Sequence, residues 1–359
     1  MYSESDIDGA VAAGALSAEA AAAFRNHVAA LRAVPAVDEE SFRLLTGFND
    51  IFVSIAAVLM LVAMGWLGNS IRILAPDHGP PPVLGFAIAG AAWGLAEYFT
   101  RERRMALPSI ILLLAFSGGL FAGFGVLFDT IFDPNDLHEA GERTMALVAA
   151  AAAALTAIGV WLHWRRFQVP ITVAIGAATL AGLSLALLVA AVPGLADHFL
   201  KLLLVAGIGM FALAMWWDMS DRTRTTRRSD VAFWLHLLAA PMLVHPVFAM
   251  MGMLHGTAAP AQAALVILLY VGLGLVALAI DRRALMVSAL VYVLYALSSL
   301  IEQSGAVDLS FGLTALIIGS ALLLLSAFWA KARRVVVGML PEHVAVRLPV
   351  IDRMVAVTR

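Results

Sequence analysis

The amino-acid sequence predicts an all-α integral membrane bundle of ten transmembrane helices, with the N- and C-termini both cytoplasmic. Hydrophobic residues make up 62% of the 359-residue chain and charged residues only 13%, whereas soluble domains carry about 25% charged residues. Of the 23 lysines and arginines, 20 lie in the N-terminal segment, the C-terminal tail and every second connection between apolar stretches. Because basic flanks of membrane helices stay on the cytoplasmic side, this alternation predicts the orientation as well as the number of spans.

The first 48 residues are polar and are predicted to form a cytoplasmic helical hairpin with an amphipathic second helix. Ser5 can cap a first short helix that stops at Gly14, and Ser17 can cap a second helix that ends before Pro35. Acidic residues stand where a signal peptide would have basic ones. The N-terminus is therefore expected to stay in the cytoplasm.

Residues 49–330 are predicted to form the transmembrane domain, and residues 331–359 a cytoplasmic tail. A helix needs about 20 apolar residues to cross the hydrocarbon core. Ten stretches meet this requirement, at residues 50–68, 82–100, 106–129, 145–163, 169–192, 200–217, 231–254, 263–280, 284–301 and 311–330. They leave no room for a separate catalytic domain.

Arginine clusters and tryptophans mark the predicted cytoplasmic ends of the spans. The clustered arginines are Arg101, Arg103, Arg104, Arg165, Arg166, Arg222, Arg224, Arg227, Arg228, Arg282 and Arg283. Trp161, Trp164, Trp216, Trp217, Trp234 and Trp329 lie at the same ends, as expected of interfacial aromatic belts. Orientation accounts for these basic clusters, so no nucleic-acid partner is expected and the lipid bilayer is the predicted surrounding.

Two pairs of glycines predict close helix packing. Gly90 and Gly94 in span two, and Gly119 and Gly123 in span three, have the GxxxG spacing. Glycines at this spacing allow helix backbones to approach closely in membranes.

Span seven is the most unusual helix because it combines His236 and His245 with Pro241 and Pro246. Each proline removes an intrahelical hydrogen bond and favours a bend. A carbonyl freed within lipid needs a partner or lines a cavity. The helix is therefore either one wall of a polar site in the membrane or a kinked packing helix whose histidines bond to neighbours.

Three kinds of chemistry can be weighed for span seven. Haem ligation by this helix alone is excluded, because His236 and His245 are nine positions apart and point to opposite sides. Binding of Cu(I) by Met242, His245 and Met253 is a weaker hypothesis, since thioethers and imidazole suit that ion. Proton handling by His245 is a third. No cofactor is expected, and the absence of cysteine excludes thiolate sites.

Span nine carries one polar stripe that runs towards the outer surface. Its members are Ser288, Tyr292, Tyr295, Ser299 and Glu302, which share a helix face. Such a face points at protein or water. It either lines a pathway that opens outward, with span seven as the opposite wall, or packs against polar groups of other helices.

Glu97 lies near the predicted cytoplasmic end of span two, four residues before Arg101. This spacing brings a carboxylate and a guanidinium together on one helix face, so Glu97 is either a simple ion-pair partner or a coupling or gate residue. No charged residue lies near the middle of any span, which argues against a voltage sensor and a carboxylate-driven ion pump. Nucleotide-binding, zinc-protease and serine-hydrolase motifs are also absent from the sequence.

The helical hairpin DIDGAVAAGALSAEAAAAFRNHVAALR at residues 6–32, followed at once by a polytopic region, resembles bacterial inner-membrane proteins classified only as domains of unknown function. The resemblance covers about the first 65 residues. The segments LTGFNDIFV at 45–53 and RRSDVAFWLHLLAAPMLVHP at 227–246 also look like signatures of a membrane family. The resemblance implies an inner-membrane location and this architecture, and it assigns no functional residues.

The leading functional hypothesis is a small-solute permease or channel-like protein, with spans seven and nine contributing to the pathway. The alternative is a non-transporting scaffold or sensor that acts through the hairpin and the basic connections. An intramembrane metal-binding protein or enzyme is the third hypothesis.

Overall fold

The computed structural model describes residues 4–31, 48–75, 79–132, 141–222, 224, 226–252, 260–303 and 309–349. Every secondary-structure element within these ranges is a helix. The chain divides into two compact units, Met1–Ser41 and Phe42–Arg359. The all-helical prediction is confirmed.

The N-terminal unit contains the helices Glu4–Ala12 and Ala18–Leu31. Gly14 lies between them with a φ of 70°, a conformation that glycine adopts without steric cost. Ser17 caps the second helix, because its Oγ accepts a hydrogen bond from the backbone N–H of Ala20 at 3.1 Å. The predicted cap at Ser17 is thus confirmed.

Among the described residues, the larger unit contains ten helices that are long and apolar enough to cross a membrane, as the sequence predicts. Spans one to five are Phe48–Ser70, Pro82–Ala96, Ala106–Ile131, Gly141–Phe167 and Ile171–Ala191. Spans six to ten are Phe199–Ser220, Arg227–Met250, Pro260–Ile280, Ala284–Gln303 and Ser310–Ala327. Span two continues as a π-helix over Glu97–Glu102, and a 3-10 turn at Ala196–His198 precedes span six.

Spans two and three touch through glycine backbone. A Cβ atom added at Gly85 would lie 2.5 Å from the carbonyl oxygen of Gly119 and 2.5 Å from the nitrogen of Gly123. The predicted close approach at Gly119 and Gly123 is therefore confirmed. The prediction for Gly90 and Gly94 is wrong, because an added Cβ at either would meet no atom of the described residues within 4 Å.

Span seven remains helical through both of its prolines. Pro246 has no N–H to donate to the carbonyl of Met242, one turn earlier. Span six approaches the helix at this point, where a Cβ added at Gly207 would lie 2.8 Å from the Met242 carbonyl oxygen. The absence of a side chain at Gly207 lets the two backbones pack closely where span seven has lost a hydrogen bond.

We use the term basic face for the end of the bundle formed by the connections between spans two and three, four and five, six and seven, and eight and nine. Contacts bring these connections together in pairs: Arg166 meets Glu97, and Arg282 meets Asp218. The side of the membrane on which the basic face lies remains a prediction.

After span ten the chain forms a C-terminal segment, residues 329–349, with the helices Trp329–Gly338 and Glu342–Ala345. Trp329, Arg333 and Val337 are buried and fall on one helix face at four-residue spacing. They pack with buried residues of span eight, including Ala277 and Ile280. The region that the sequence describes only as a tail thus covers the basic-face end of span eight.

Candidate functional site

A buried carboxylate near the end of span six joins three spans. Asp218 is 2% exposed, and its Oδ2 accepts a hydrogen bond from Nε2 of His236 in span seven at 2.9 Å. Arg282, just after span eight, donates from Nη2 to Oδ1 at 2.5 Å and from Nε to Oδ2 at 3.2 Å. The same Nη2 donates to the carbonyl of Ser229 at 3.1 Å. Spans six, seven and eight are therefore tied together at the basic face.

A second buried carboxylate, Asp281, lies next to Arg282 in the chain. Its Oδ2 accepts from Nη1 of Arg224 at 2.8 Å, and its Oδ1 accepts from the Trp329 indole at 2.7 Å. Nε of Arg333 lies 3.9 Å from the same Oδ1. Asp281 thus connects the six–seven connection to the C-terminal segment. We call Asp218, His236, Arg224, Asp281, Arg282 and Arg333 the charge cluster.

The backbone after span eight explains how two adjacent residues reach different partners. Asp281 has a φ of 58°, in the left-handed region where a short polar side chain is tolerated better than most. The N–H of Arg282 donates back to the carbonyl of Ala277 at 2.9 Å. The chain therefore ends span eight sharply and directs Asp281 and Arg282 into the protein.

The C-terminal segment closes the cluster from the other side. Arg333 is 2% exposed, and its Nη2 donates to the carbonyl of Pro349 at 2.7 Å. Nε of Arg222 donates to the carbonyl of Leu348 at 3.0 Å. Two backbone carbonyls near residue 349 therefore anchor arginines from two separate parts of the chain.

Buried arginines and buried carboxylates occur together in this region. Three buried arginines, at 224, 282 and 333, lie beside Asp218 and Asp281. A third buried carboxylate, Asp221, accepts from the N–H and Oγ1 of Thr226 in the same connection. Burial lowers the pKa of Arg224, and the Asp281 carboxylate beside it acts in the opposite direction. An arginine remains ionised under such conditions.

His236 fits the cluster as a neutral ring. Its Nε2 must carry a hydrogen to donate to Asp218, and its buried Nδ1 has no partner among the described residues. Protonation would add a buried N–H with no acceptor, which is costly. The neutral tautomer with hydrogen on Nε2 is consequently favoured in this arrangement.

The other histidine of span seven lies at a different place. Nδ1 of His245 is 2.7 Å from the hydroxyl of Tyr292, so the stripe of span nine does meet span seven here. Phe248 packs on the Tyr292 ring, with centroids 4.5 Å apart. Buried apolar side chains surround the contact, namely Val244, Phe248, Ala263, Val266, Ala289, Val293 and Ala296. In this conformation the contact between spans seven and nine is close-packed.

The remaining residues of the stripe have separate surroundings. Ser288 is half-buried and Tyr295 is 40% exposed. Ser299 is buried and accepts from the Gln303 amide at 3.1 Å. Glu302 accepts from Ser310 of span ten at 3.2 Å. Tyr292 thus joins span nine to span seven, and Glu302 joins it to span ten.

Glu97 forms the predicted ion pair with Arg101 at 3.4 Å. Its stronger partner lies on span four, where Nε and Nη2 of Arg166 donate to the two carboxylate oxygens at 2.8 and 2.9 Å. The Glu97 side chain is 33% exposed, and both arginines are more exposed than that. The pair links spans two and four in a solvated setting.

Of the three proposed copper ligands, Met242 and His245 lie within the described residues. Met242 of span seven packs beside Gly207 of span six, while Met253 lies outside the described residues. Within the described part of the chain, no three His, Asp or Glu side chains are grouped as metal ligands.

Sequence reasoning assigned no site role to Arg224, Asp281, Arg282, Arg333 or Trp329. In the sequence, the arginines satisfy the topology rule and Trp329 fits the interfacial belt. One signal was available: Asp218 and Asp281 are acids at the basic ends of spans. Orientation in the membrane depends on lysine and arginine and not on acidic residues. An acid at a basic end therefore indicates a specific ion-pair or hydrogen-bond partner.

Together, the ten apolar helices define a multi-pass helical membrane protein. Comparison of the chain with protein-family models, with curated proteins and with solved structures finds no match. The charge cluster and the contact between spans seven and nine therefore carry the functional argument.

Proposed function

We propose that the protein is a permease for small uncharged solutes, in which the charge cluster closes the basic-face ends of spans six, seven and eight. The observation that carries this proposal is the buried contact of Asp218 with His236 and Arg282. It joins three spans at one point, and one of them is the proline-containing span seven.

The cost of burying charge supports a functional interpretation. Removing ions from water costs several kcal/mol each, and apolar residues of similar volume often give equal or greater stability. Ionisable side chains retained inside a membrane protein are therefore treated as functional candidates by default. Ion pairs differ from apolar packing in that water can replace each partner when they separate, which suits a gate.

The helices next to the cluster are suited to movement. Span seven lacks the two hydrogen bonds that Pro241 and Pro246 cannot donate. At Gly207, span six presents no side chain to the backbone of Met242. Separation of Asp218 from Arg282 would free spans six and eight from each other and admit water from the basic face.

The polar groups further into the membrane favour an uncharged solute. The described groups that meet between spans seven and nine are the His245 imidazole and the Tyr292 hydroxyl, which offer hydrogen bonds and no fixed charge. A solute would exchange the hydrogen bond between them for bonds of its own. Because these side chains are close-packed here, this conformation corresponds to the closed state.

The alternative is a non-transporting scaffold or sensor. Two observations favour it: the apolar packing around Tyr292, and the C-terminal segment held on Asp281. In that case the charge cluster would hold spans six, seven and eight together permanently and would not open.

Solute flux distinguishes the two functions. The full chain is reconstituted in liposomes, and stopped-flow light scattering follows re-swelling after challenge with urea, glycerol or xylose. We expect wild-type flux above that of protein-free liposomes for at least one of these solutes. Asp218→Asn and Arg282→Gln should each raise that flux severalfold, because each breaks the ion pair that closes the gate.

The matched control is Arg228→Gln, which removes an exposed arginine from the first turn of span seven and should leave the flux unchanged. Gel filtration of each variant establishes that it is folded. If the wild type and all folded variants behave as protein-free liposomes, the permease proposal is contradicted and the scaffold function is retained.

A further inference from the structure

A long apolar groove lies between spans four, five and six. Its volume is about 780 Å³. Small residues contribute much of its lining, among them Ala154, Ala157, Gly176 and Ala177. Along span five the lining runs from Thr172 to Leu183, which is about 16 Å at 1.5 Å per residue. This length matches one half of a hydrocarbon core about 30 Å thick.

The groove has an aromatic rim at the basic face. Trp161 and Trp164 lie in the last two turns of span four, Trp217 lies in the last turn of span six, and all three line the groove. Indole rings are favoured at the level of lipid headgroups. The rim therefore marks where the headgroup of a molecule seated in the groove would lie.

An exposed arginine, Arg165, stands at this rim. Its guanidinium lies over the Trp161 ring, 5.1 Å from the ring centroid. The adjacent Arg166 is neutralised by Glu97, whereas Arg165 forms no ion pair within the described ranges. One of two neighbouring cations is thus available to an external anion at headgroup depth.

We propose that this groove binds one anionic phospholipid of the basic-face leaflet. An acyl chain occupies the channel of small and apolar side chains, and the phosphate contacts Arg165. A phospholipid fits better than a soluble molecule, because the groove is apolar along its length and opens to the hydrocarbon. Basic residues at such depths attract anionic headgroups. The proposal is independent of whether the protein transports a solute.

Native mass spectrometry of the detergent-purified full chain tests the proposal. Phosphatidylglycerol and phosphatidylcholine with identical acyl chains are titrated separately. We expect preferential retention of one phosphatidylglycerol. Arg165→Gln should weaken its apparent affinity about fivefold, the effect typical of one basic residue near a membrane surface.

Two further variants separate the groove from general surface charge. Arg228→Gln removes the same charge away from the groove and should leave retention unchanged. Ala157→Phe fills the groove and should reduce retention of both lipids. The proposal is overturned if Arg165→Gln and Arg228→Gln behave alike, if phosphatidylcholine binds as well as phosphatidylglycerol, or if Ala157→Phe, eluting as a folded protein on gel filtration, retains the lipid normally.

Discussion

Glu97 and Asp218 are two carboxylates at the basic face, and each is shared between neighbouring spans. Glu97 is 33% exposed and pairs with Arg166 and Arg101, which are 42% and 53% exposed. Asp218, His236 and Arg282 are 2%, 0% and 3% exposed. Hydrogen-bond lengths at the two sites are similar, so water is the main difference between them.

The same ion-pair chemistry therefore has two different effects in this bundle, one at a solvated site and one at a buried site. A solvated ion pair contributes little, because water screens the charges and competes for both partners. Water does not reach a buried pair, so removal of one partner leaves the other charge buried and uncompensated. Spans two and three are joined by glycine contacts, whereas spans six, seven and eight are joined by the charge cluster in addition to their glycine and apolar contacts.

The largest expected effect is that of Asp218→Ala. It leaves Arg282 buried without its carboxylate, and breaking a buried pair in this way costs about 3–5 kcal/mol. We expect a large fall in the Tm of the detergent-purified protein, followed by tryptophan fluorescence. The double variant Asp218→Leu with Arg282→Leu should recover part of the loss. A double variant less stable than Asp218→Ala would show that the unpaired charge is not the cause.

The second prediction concerns the glycine contact between spans two and three. Gly85→Leu forces a side chain against the backbone of Gly119 and Gly123, which cannot rotate away. We expect a loss of about 3 kcal/mol, at the upper end for overpacking, measured as a fall in Tm. Gly90→Leu is the matched control, since no described atom lies within 4 Å of its added Cβ. Equal effects of the two variants would contradict the observed packing.

The third prediction concerns the C-terminal segment. Trp329→Phe keeps an aromatic ring but removes the hydrogen bond to Asp281. We expect a loss of about 1–2 kcal/mol and faster tryptic cleavage after Arg333 and Arg334, because the segment separates more often from span eight. Trp216→Phe, at an exposed position, should leave the cleavage rate unchanged. An unchanged rate in Trp329→Phe would mean that this bond does not hold the segment.

The smallest expected effect is that of Glu97→Gln. Its ion pairs are solvated, so the Tm should stay close to the wild-type value and any difference should vanish at high salt. Thermal unfolding at low and high ionic strength measures this. A loss comparable with that of Asp218→Ala would remove the distinction between the two sites.

Features set by local sequence could be predicted. The ten spans follow from runs of apolar residues, the Ser17 cap from its position before a helix, and the Glu97–Arg101 pair from four-residue spacing. Each depends on residues close together in the chain. The sequence also indicated that His236 and His245 cannot share a ligand, because helix geometry alone separates them.

Features that depend on which helices pack against each other could not be predicted. The GxxxG pattern shows that a helix can be approached closely but not by which helix, so Gly85 was missed and Gly90 wrongly selected. Arg282 obeys the topology rule whether it is solvated or buried. Its contact with Asp218 joins residues 64 positions apart, and only the packing of three spans brings them together.

Arg222 and Arg333 donate hydrogen bonds to the backbone carbonyls of Leu348 and Pro349, respectively. These acceptors are synthesised after spans six, seven and eight, so the order of synthesis affects this end of the bundle. Pro349 follows Arg282 by 67 residues, which a ribosome adding about 5–20 residues per second needs roughly 3–13 seconds to complete. At the start of this interval spans six, seven and eight are already synthesised, but Arg333 and its acceptor do not yet exist. Newly made protein therefore passes through a stage in which this end of the bundle is still hydrated, and premature termination before residue 349 would leave it in that stage permanently.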